Sequence, residues 1–226
     1  FIATVVEIPG RAMFQILNPM VAKAININDF MNLNELYQKS SSNLLIICGF
    51  FFLLINLNIV SFYELMNNQF YSDAIWVVLI ISLAKLIQMS FGCGPAILAT
   101  SSFYKITLPF SISMAISVYF LNDYLIDLYG INGAAISTLI VLLLFTILKV
   151  LYINFKLKIH PYNFNTIKII LVIGLVYFSL DLIQLNFYPL FNIALKSVLT
   201  SALYISLIYF LKLSDTINKA IDTLFK

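Results

Sequence analysis

Five charged residues fall inside otherwise apolar stretches of this 226-residue chain: Glu7, Arg11, Lys85, Asp181 and Lys196. A charge at the centre of a membrane helix costs roughly 2.5–3.5 kcal/mol on insertion scales, so each needs a partner or a wet cavity. Glu7, Arg11, Gln15 and Asn18 follow the spacing i, i+4, i+8 and i+11, which sets them on one face of a helix. Glu7 precedes Arg11 by one helical turn, the favourable order for an ion pair. Two readings fit this face. It is either a self-neutralised pair buried against a neighbour or a polar stripe lining a cavity. In the second case Arg11 offers a fork to a phosphate, and Gln15 and Asn18 extend the polar surface.

Ser82, Lys85, Gln88, Met89 and Gly92 form a second such face. Lys85 lies too deep to snorkel to either interface, so it either faces a cavity or meets a carboxylate from another helix. Asp181 and Lys196 each stand about seven residues from a turn near Tyr188 and Pro189, which predicts a structural ion pair between two helices roughly 10 Å below their outer ends. Asn122 and Asp123 close one apolar stretch, and Ser137 and Thr138 lie in the next. Oxygens of Asn122, Asp123 and Thr138 could hold Na⁺ or a proton, but polar residues at helix ends are also commonly just solvated. The small residues at 133–137 equally suit close helix packing. Cys48 and Cys93 fall far apart in apolar runs and read as inert packed thiols. No cluster of His, Cys and carboxylates marks a metal site, and no phosphate-cradling glycine loop or serine elbow marks an enzyme; no cofactor is expected.

The elements that must position these residues follow from composition. Hydrophobic residues make up 62% of the chain and charged residues 10%, and the mean hydropathy is +0.98. A soluble domain carries about 25% charged residues. Together with the length of the apolar runs, this excludes a compact water-soluble enzyme. A net charge of +3 spread over the chain leaves no basic patch for nucleic acid. The chain reads as an all-α polytopic membrane protein in one domain, 1–226. A spanning helix needs about 20 mostly apolar residues, and six stretches qualify: 43–63, 74–94, 106–126, 131–153, 166–187 and 190–211. A seventh, 1–25, is interrupted by polar residues and two prolines and reads as a polar, bent transmembrane helix.

The connections carry turn chemistry. The Asn-rich stretch 26–34 and Ser40, Ser41, Ser42 and Asn43 are expected to bound the first long loop, with a short amphipathic piece over 30–37. Pro109 and Pro189 sit near helix starts, where a missing N–H costs nothing. Gly92 and Pro95 mark the end of a helix or a kink. In the tail, 214–226, Ile217, Ile221 and Leu224 recur at helical spacing, as an interfacial helix requires. If seven segments alternate, Lys23, Lys39, Lys105, Lys149, Lys156, Lys158, Lys168, Lys212, Lys219 and Lys226 share one side. The opposite loops hold Glu64, Asp73, Asp123 and Asp127 and no basic residue. Such bias places the lysine side, with the C-terminus, in the cytoplasm. The first residue is Phe1, with no signal-peptide pattern. The chain is therefore expected to be part of a longer protein, with an odd number of helices upstream if that protein starts in the cytoplasm.

The order of features resembles a known family. The stretches "IPGRAMFQILNPMVAKA", "LNELYQKSSSNLL" and "YLIDLYGINGAAISTLIVLLLF" are similar to the C-terminal half of bacterial polysaccharide (O-antigen type) flippases. These belong to the multidrug/oligosaccharidyl-lipid/polysaccharide exporter superfamily. The run Tyr-Gly-Ile-Asn-Gly-Ala-Ala-Ile-Ser-Thr after a short acidic loop carries the resemblance furthest. It implies the second lobe plus the last two helices of a fourteen-helix exporter in the bacterial inner membrane. The implied function is flipping of an undecaprenyl-diphosphate-linked oligosaccharide by alternating access, for cell-surface polysaccharide synthesis. Arg11 and Lys85 would pair with the diphosphate, Gln15, Asn18 and Gln88 would bond sugars, and the Asp181–Lys196 pair would brace the last hairpin beside a groove for the prenyl tail. Coupling to Na⁺ or H⁺, and contact with a polysaccharide polymerase or glycosyltransferases, are implied too. A multidrug or cation antiporter of the same superfamily, a membrane-embedded polymerase or acyltransferase, and a purely structural subunit stay open as alternatives.

Overall fold

The computed structural model describes residues 1–66, 74–183 and 187–224. Asp73 and Lys226 lie outside the described residues, as does the side chain of Leu224. Every described element is helical. A 3₁₀ segment, Ile2–Glu7, runs into α1 (Ile8–Asn26); then come α2 (Phe30–Leu65), α3 (Ile75–Met89), α4 (Gly94–Thr100), a 3₁₀ turn at Tyr104–Ile106, α5 (Thr107–Tyr129), α6 (Ile131–Leu157), α7 (Phe164–Asp181), α8 (Pro189–Phe210) and α9 (Asp215–Leu224). Five helices are long and apolar enough to cross a membrane, and a sixth crossing is available if α3 and α4, bent by 52°, form one span. This fits an all-α protein that crosses a membrane several times. The stretch 1–25, expected as a seventh span, is helical but is not among these: its polar residues hold its hydropathy down.

The first connection differs from expectation. It shrinks to 27–29, because Asn28 adopts a left-handed conformation (φ 55°) and Asp29 caps α2 by accepting the Asn32 N–H at 3.1 Å. The expected loop residues Ser40–Asn43 are buried in the interior of α2. Its 36 residues extend about 54 Å, well beyond the roughly 30 Å hydrocarbon core. Serine can stay helical here because its hydroxyl bonds a carbonyl one turn back, as Ser40 does to Tyr37 at 3.0 Å.

The helix α2 is the hub, against which α1, α3, α7 and α8 all pack. The α5–α6 hairpin joins the bundle by packing α6 on α3, and α5 buries no residue of its own. The α7–α8 hairpin docks on α2. One core gathers Val6, Leu44, Leu53, Ile169, Val176 and Tyr204. Another gathers Ala24, Leu33, Tyr37, Phe91, Ile153 and Ile159, with Ile106 against it. Residues near Lys23, Lys39, Lys105, Lys156 and Lys158 thus meet in one cluster, so these basic residues share one end of the bundle.

Proline and glycine act where expected. Pro189 opens α8, Pro109 lies in the first turn of α5, and Gly92 (φ 56°) sits in the break between α3 and α4. The α5–α6 turn is built on two glycines. Gly130 has φ 58° and ψ −138°, a conformation open essentially to glycine alone. A Cβ on Gly133 would lie 1.9 Å from the Leu125 carbonyl oxygen, whereas one on Gly174 would meet nothing within 4 Å. Gly133→Val is therefore expected to destabilise the protein by about 1–3 kcal/mol or more, and Gly174→Ala to leave it unchanged or slightly more stable. Thermal unfolding in detergent checks both, and equal melting temperatures for the two variants would contradict the hairpin geometry.

Candidate functional site: a carboxylate shared by two cations

The 3₁₀ segment Ile2–Glu7 packs on α3 and α2 and delivers Glu7 to the side of α3. One turn further on, Gly10 passes so close to α3 that an added Cβ would sit 2.6 Å from the Met89 sulfur. Met89 is itself one turn beyond Lys85. Glu7 Oε2 accepts from Lys85 Nζ at 2.9 Å, and Glu7 Oε1 accepts from Arg11 Nη2 at 2.8 Å. One carboxylate thus serves two cations, and the cluster keeps a net charge of +1.

Exposure is unequal across it. The Glu7 side chain is 14% exposed and Lys85 22%, whereas Arg11 is 74% exposed. The guanidinium has five N–H donors, so most of its donors stay open on the outer face of α1. Gln15 and Asn18 are exposed on that same face, and neither bonds another group among the described residues. The Glu7–Arg11 pair is present with Arg11 exposed and not buried against a neighbour; Glu7 turns inward, while Arg11, Gln15 and Asn18 turn out.

The second predicted face resolves differently. Ser82 is buried and accepts from Asn56 Nδ2 at 2.9 Å, Lys85 meets Glu7, and Met89 packs at Gly10. That face looks onto α1 and α2, so Lys85 has found the carboxylate from another element. Gln88 is half-buried, with its Oε1 enclosed and unpartnered among the described residues.

Two expected groupings do not assemble. Asp181 and Lys196 form no ion pair within 4 Å. Equal depth would require α7 to continue to the turn at Tyr188. Instead α7 stops at Asp181 while Lys196 sits about two turns into α8, an offset of roughly 10 Å. Asn122 is met by the Ser137 hydroxyl and not by Thr138, whose Oγ1 bonds the Ala134 carbonyl of its own helix at 2.9 Å. Asp123 is exposed. Adjacent residues on α6 point about 100° apart, so only one of the two hydroxyls can face Asn122. Among the described residues no group of three or more His, Cys, Asp and Glu is placed to hold a metal ion.

Composition gave no hint of a set of buried clamps on α2. Ser41 Oγ donates to the Ser90 carbonyl at 2.7 Å and Ser40 Oγ accepts the Cys93 N–H at 2.9 Å, both at the α3–α4 break. Asn58 Nδ2 donates to Ser197 Oγ on α8 at 3.2 Å, and Asn43 Oδ1 accepts from Ser214 Oγ at 2.6 Å. Asn56 and Asn58 lie two residues apart inside a run of leucines, and that was their only visible signal. In the α6–α7 loop, Tyr162 Oη lies 3.2 Å from Ser90 Oγ. Partial burial raises the Tyr162 phenol above its ordinary pKa, and the Ser90 contact offsets part of that.

Each member of the charge cluster neutralises another, which gives a stability signature. Glu7→Gln and Lys85→Met are each expected to destabilise by about 1–3 kcal/mol, the range for a hydrogen bond to a charged group. The double variant should cost less than the sum, with a coupling of about 0.5–3 kcal/mol. Chemical unfolding of the four proteins in detergent measures this, and strict additivity would show that the pair does not interact.

Comparison of the chain with protein-family models, with curated proteins and with solved structures gives no match to any of them.

Proposed function

We propose that this chain is part of a membrane transporter that carries a diphosphate-linked, hydroxyl-rich lipid headgroup across the bilayer. The specific reading is a polysaccharide-type flippase of the inner membrane, with the lysine-rich end and the C-terminus in the cytoplasm. The observation that carries it is the exposed Arg11 guanidinium, held by Glu7 on a stripe shared with Gln15 and Asn18, in a chain of apolar helices. A face of this kind cannot be left in hydrocarbon: a guanidinium with most of its donors open and two amides require water or an anionic, hydroxylated partner. Arg11 would grip the phosphates, with Lys85 behind it, and the amides would bond sugar hydroxyls. The task is to hide a polar head from lipid during alternating access, which calls for a cavity and not for bond chemistry.

A second feature supports a lipid-borne substrate. An apolar groove of about 480 Å³ runs between α1, α2, α8 and α9, lined by Met13, Ile46, Phe50, Ile208 and Ile217 among others. An isoprenoid tail would lie there while the head occupies the polar face. The rival cation exporter needs a carboxylate free to meet a cationic drug, and Glu7 is already taken by two cations.

Arg11→Ala is expected to abolish translocation of a fluorescent lipid-linked oligosaccharide in proteoliposomes while the protein still inserts and folds. Arg11→Lys should retain part of the activity, since it keeps the charge but loses the planar fork. An Arg11→Ala protein with full activity would overturn the assignment.

A further inference from the structure

We infer that Glu7 is a built-in counter-anion, which an incoming anionic headgroup must displace from Arg11 and Lys85 before it can be held. The inference rests on reading the cluster as an anion site and adds how that site behaves when empty. Glu7 makes short contacts to both cations at once, with one oxygen for each, at 2.8 and 2.9 Å. A bridging phosphate presents the same arrangement to the same two donors, namely two oxygens on one centre carrying negative charge. Glu7 therefore stands in for the ligand in charge and in geometry. The Glu7 carboxylate is mostly enclosed while Arg11 is mostly open, so a ligand reaches Arg11 first and Lys85 only if Glu7 yields.

The surroundings make the exchange meaningful. Glu7 is faced by Arg11 from α1 and Lys85 from α3. No further acid shares the cluster among the described residues. Without Glu7, the empty site would leave two like charges, Arg11 and Lys85, with no anion between them. With it, the empty site carries a net charge of +1 in place of +2, and binding becomes an exchange of one anion for another. Affinity is thereby lowered by design, which suits a transporter that must release what it binds.

The test uses the full-length protein in lipid nanodiscs, titrated with inorganic pyrophosphate and, separately, with farnesyl diphosphate. Glu7→Gln should bind either probe at least ten-fold more tightly than the wild type, and Arg11→Ala should lose binding. A Glu7→Gln affinity equal to or weaker than that of the wild type overturns the inference while leaving the cation site standing. Absence of binding by both wild type and Glu7→Gln overturns the anion reading and the inference together. Farnesyl diphosphate binding more tightly than pyrophosphate supports a lipid source for the diphosphate. Equal binding of the two overturns the lipid part of the functional proposal, and the inference then stands or falls on the Glu7→Gln ratio alone. A readout in the wild type covers the case of a variant that does not fold. Saturating pyrophosphate should raise labelling of Glu7 by a hydrophobic carbodiimide at least several-fold, measured by mass spectrometry, because a displaced carboxyl is no longer masked by its cations. Unchanged or reduced labelling overturns the inference.

Discussion

The structure depends on one constraint: inside a bilayer no water is available to satisfy a polar group, so protein must satisfy it. The helix α2 meets that constraint for most of its neighbours. A break in a spanning helix frees backbone groups that would each cost several kcal/mol in hydrocarbon. At the α3–α4 break, the Ser90 carbonyl and the Cys93 N–H are taken up by the hydroxyls of Ser41 and Ser40. Gly92 lets the break approach this closely, since a Cβ there would lie 2.7 Å from both the Ser40 oxygen and the Ser41 nitrogen. Small residues on both sides and hydroxyls on one side turn a costly kink into a tight joint. The same helix then clamps α3 through Asn56 and α8 through Asn58, and it accepts the Tyr204 hydroxyl at the Ile46 carbonyl, 2.9 Å away.

The charge cluster answers the same constraint with a remainder. Two cations and one carboxylate cannot cancel, so one positive charge stays over, and it stays on the group that is most exposed. A fully compensated pair would have been enough for stability alone. The unequal exposure of Arg11 and Lys85 separates two tasks: Lys85 ties the 3₁₀ segment to α3, and Arg11 keeps its remaining donors outward. The polar residues that continue past Arg11 are also outward, which a purely structural pair would not require.

Much of this was legible in the sequence wherever local chemistry decides the outcome. Pro189, Pro109, Gly92 and Gly133 act within a turn or two of themselves, and the Glu7–Arg11 spacing fixes its own geometry. What could not be read was set by tertiary approach. Ser40–Asn43 look like a loop because serine and asparagine favour turns, yet they stay helical once a broken helix supplies partners for them. The Asp181–Lys196 pair failed because its depth argument depended on where α7 ends, and helix ends are poorly marked when no capping residue or proline lies nearby. Thr138 failed for a smaller reason, since choosing between adjacent hydroxyls requires knowing the rotation of α6 against α5. Lys85 was left open between a cavity and a carboxylate, and nothing in its own helix could have identified Glu7, which sits 78 positions away.

The layout also bears on how a local event at the cluster could reach the rest of the molecule. The two hairpins hang on different helices: α5–α6 on α3, and α7–α8 on α2. The α2–α3 contact is therefore the seam between the two halves of this bundle, and the Asn56–Ser82 bond lies on it. The 3₁₀ segment crosses that seam, packing on both helices and fixed to α3 by the Glu7–Lys85 contact. A ligand that draws Lys85 away from Glu7 would remove the ion pair that, among the described residues, joins the N-terminal segment to α3, while the hydroxyl clamps at the break do not involve either group. Along α3, Lys85 lies between Ser82, bonded to Asn56, and the Ser90–Cys93 break, so the charged contact is flanked on both sides by hydrogen bonds to α2.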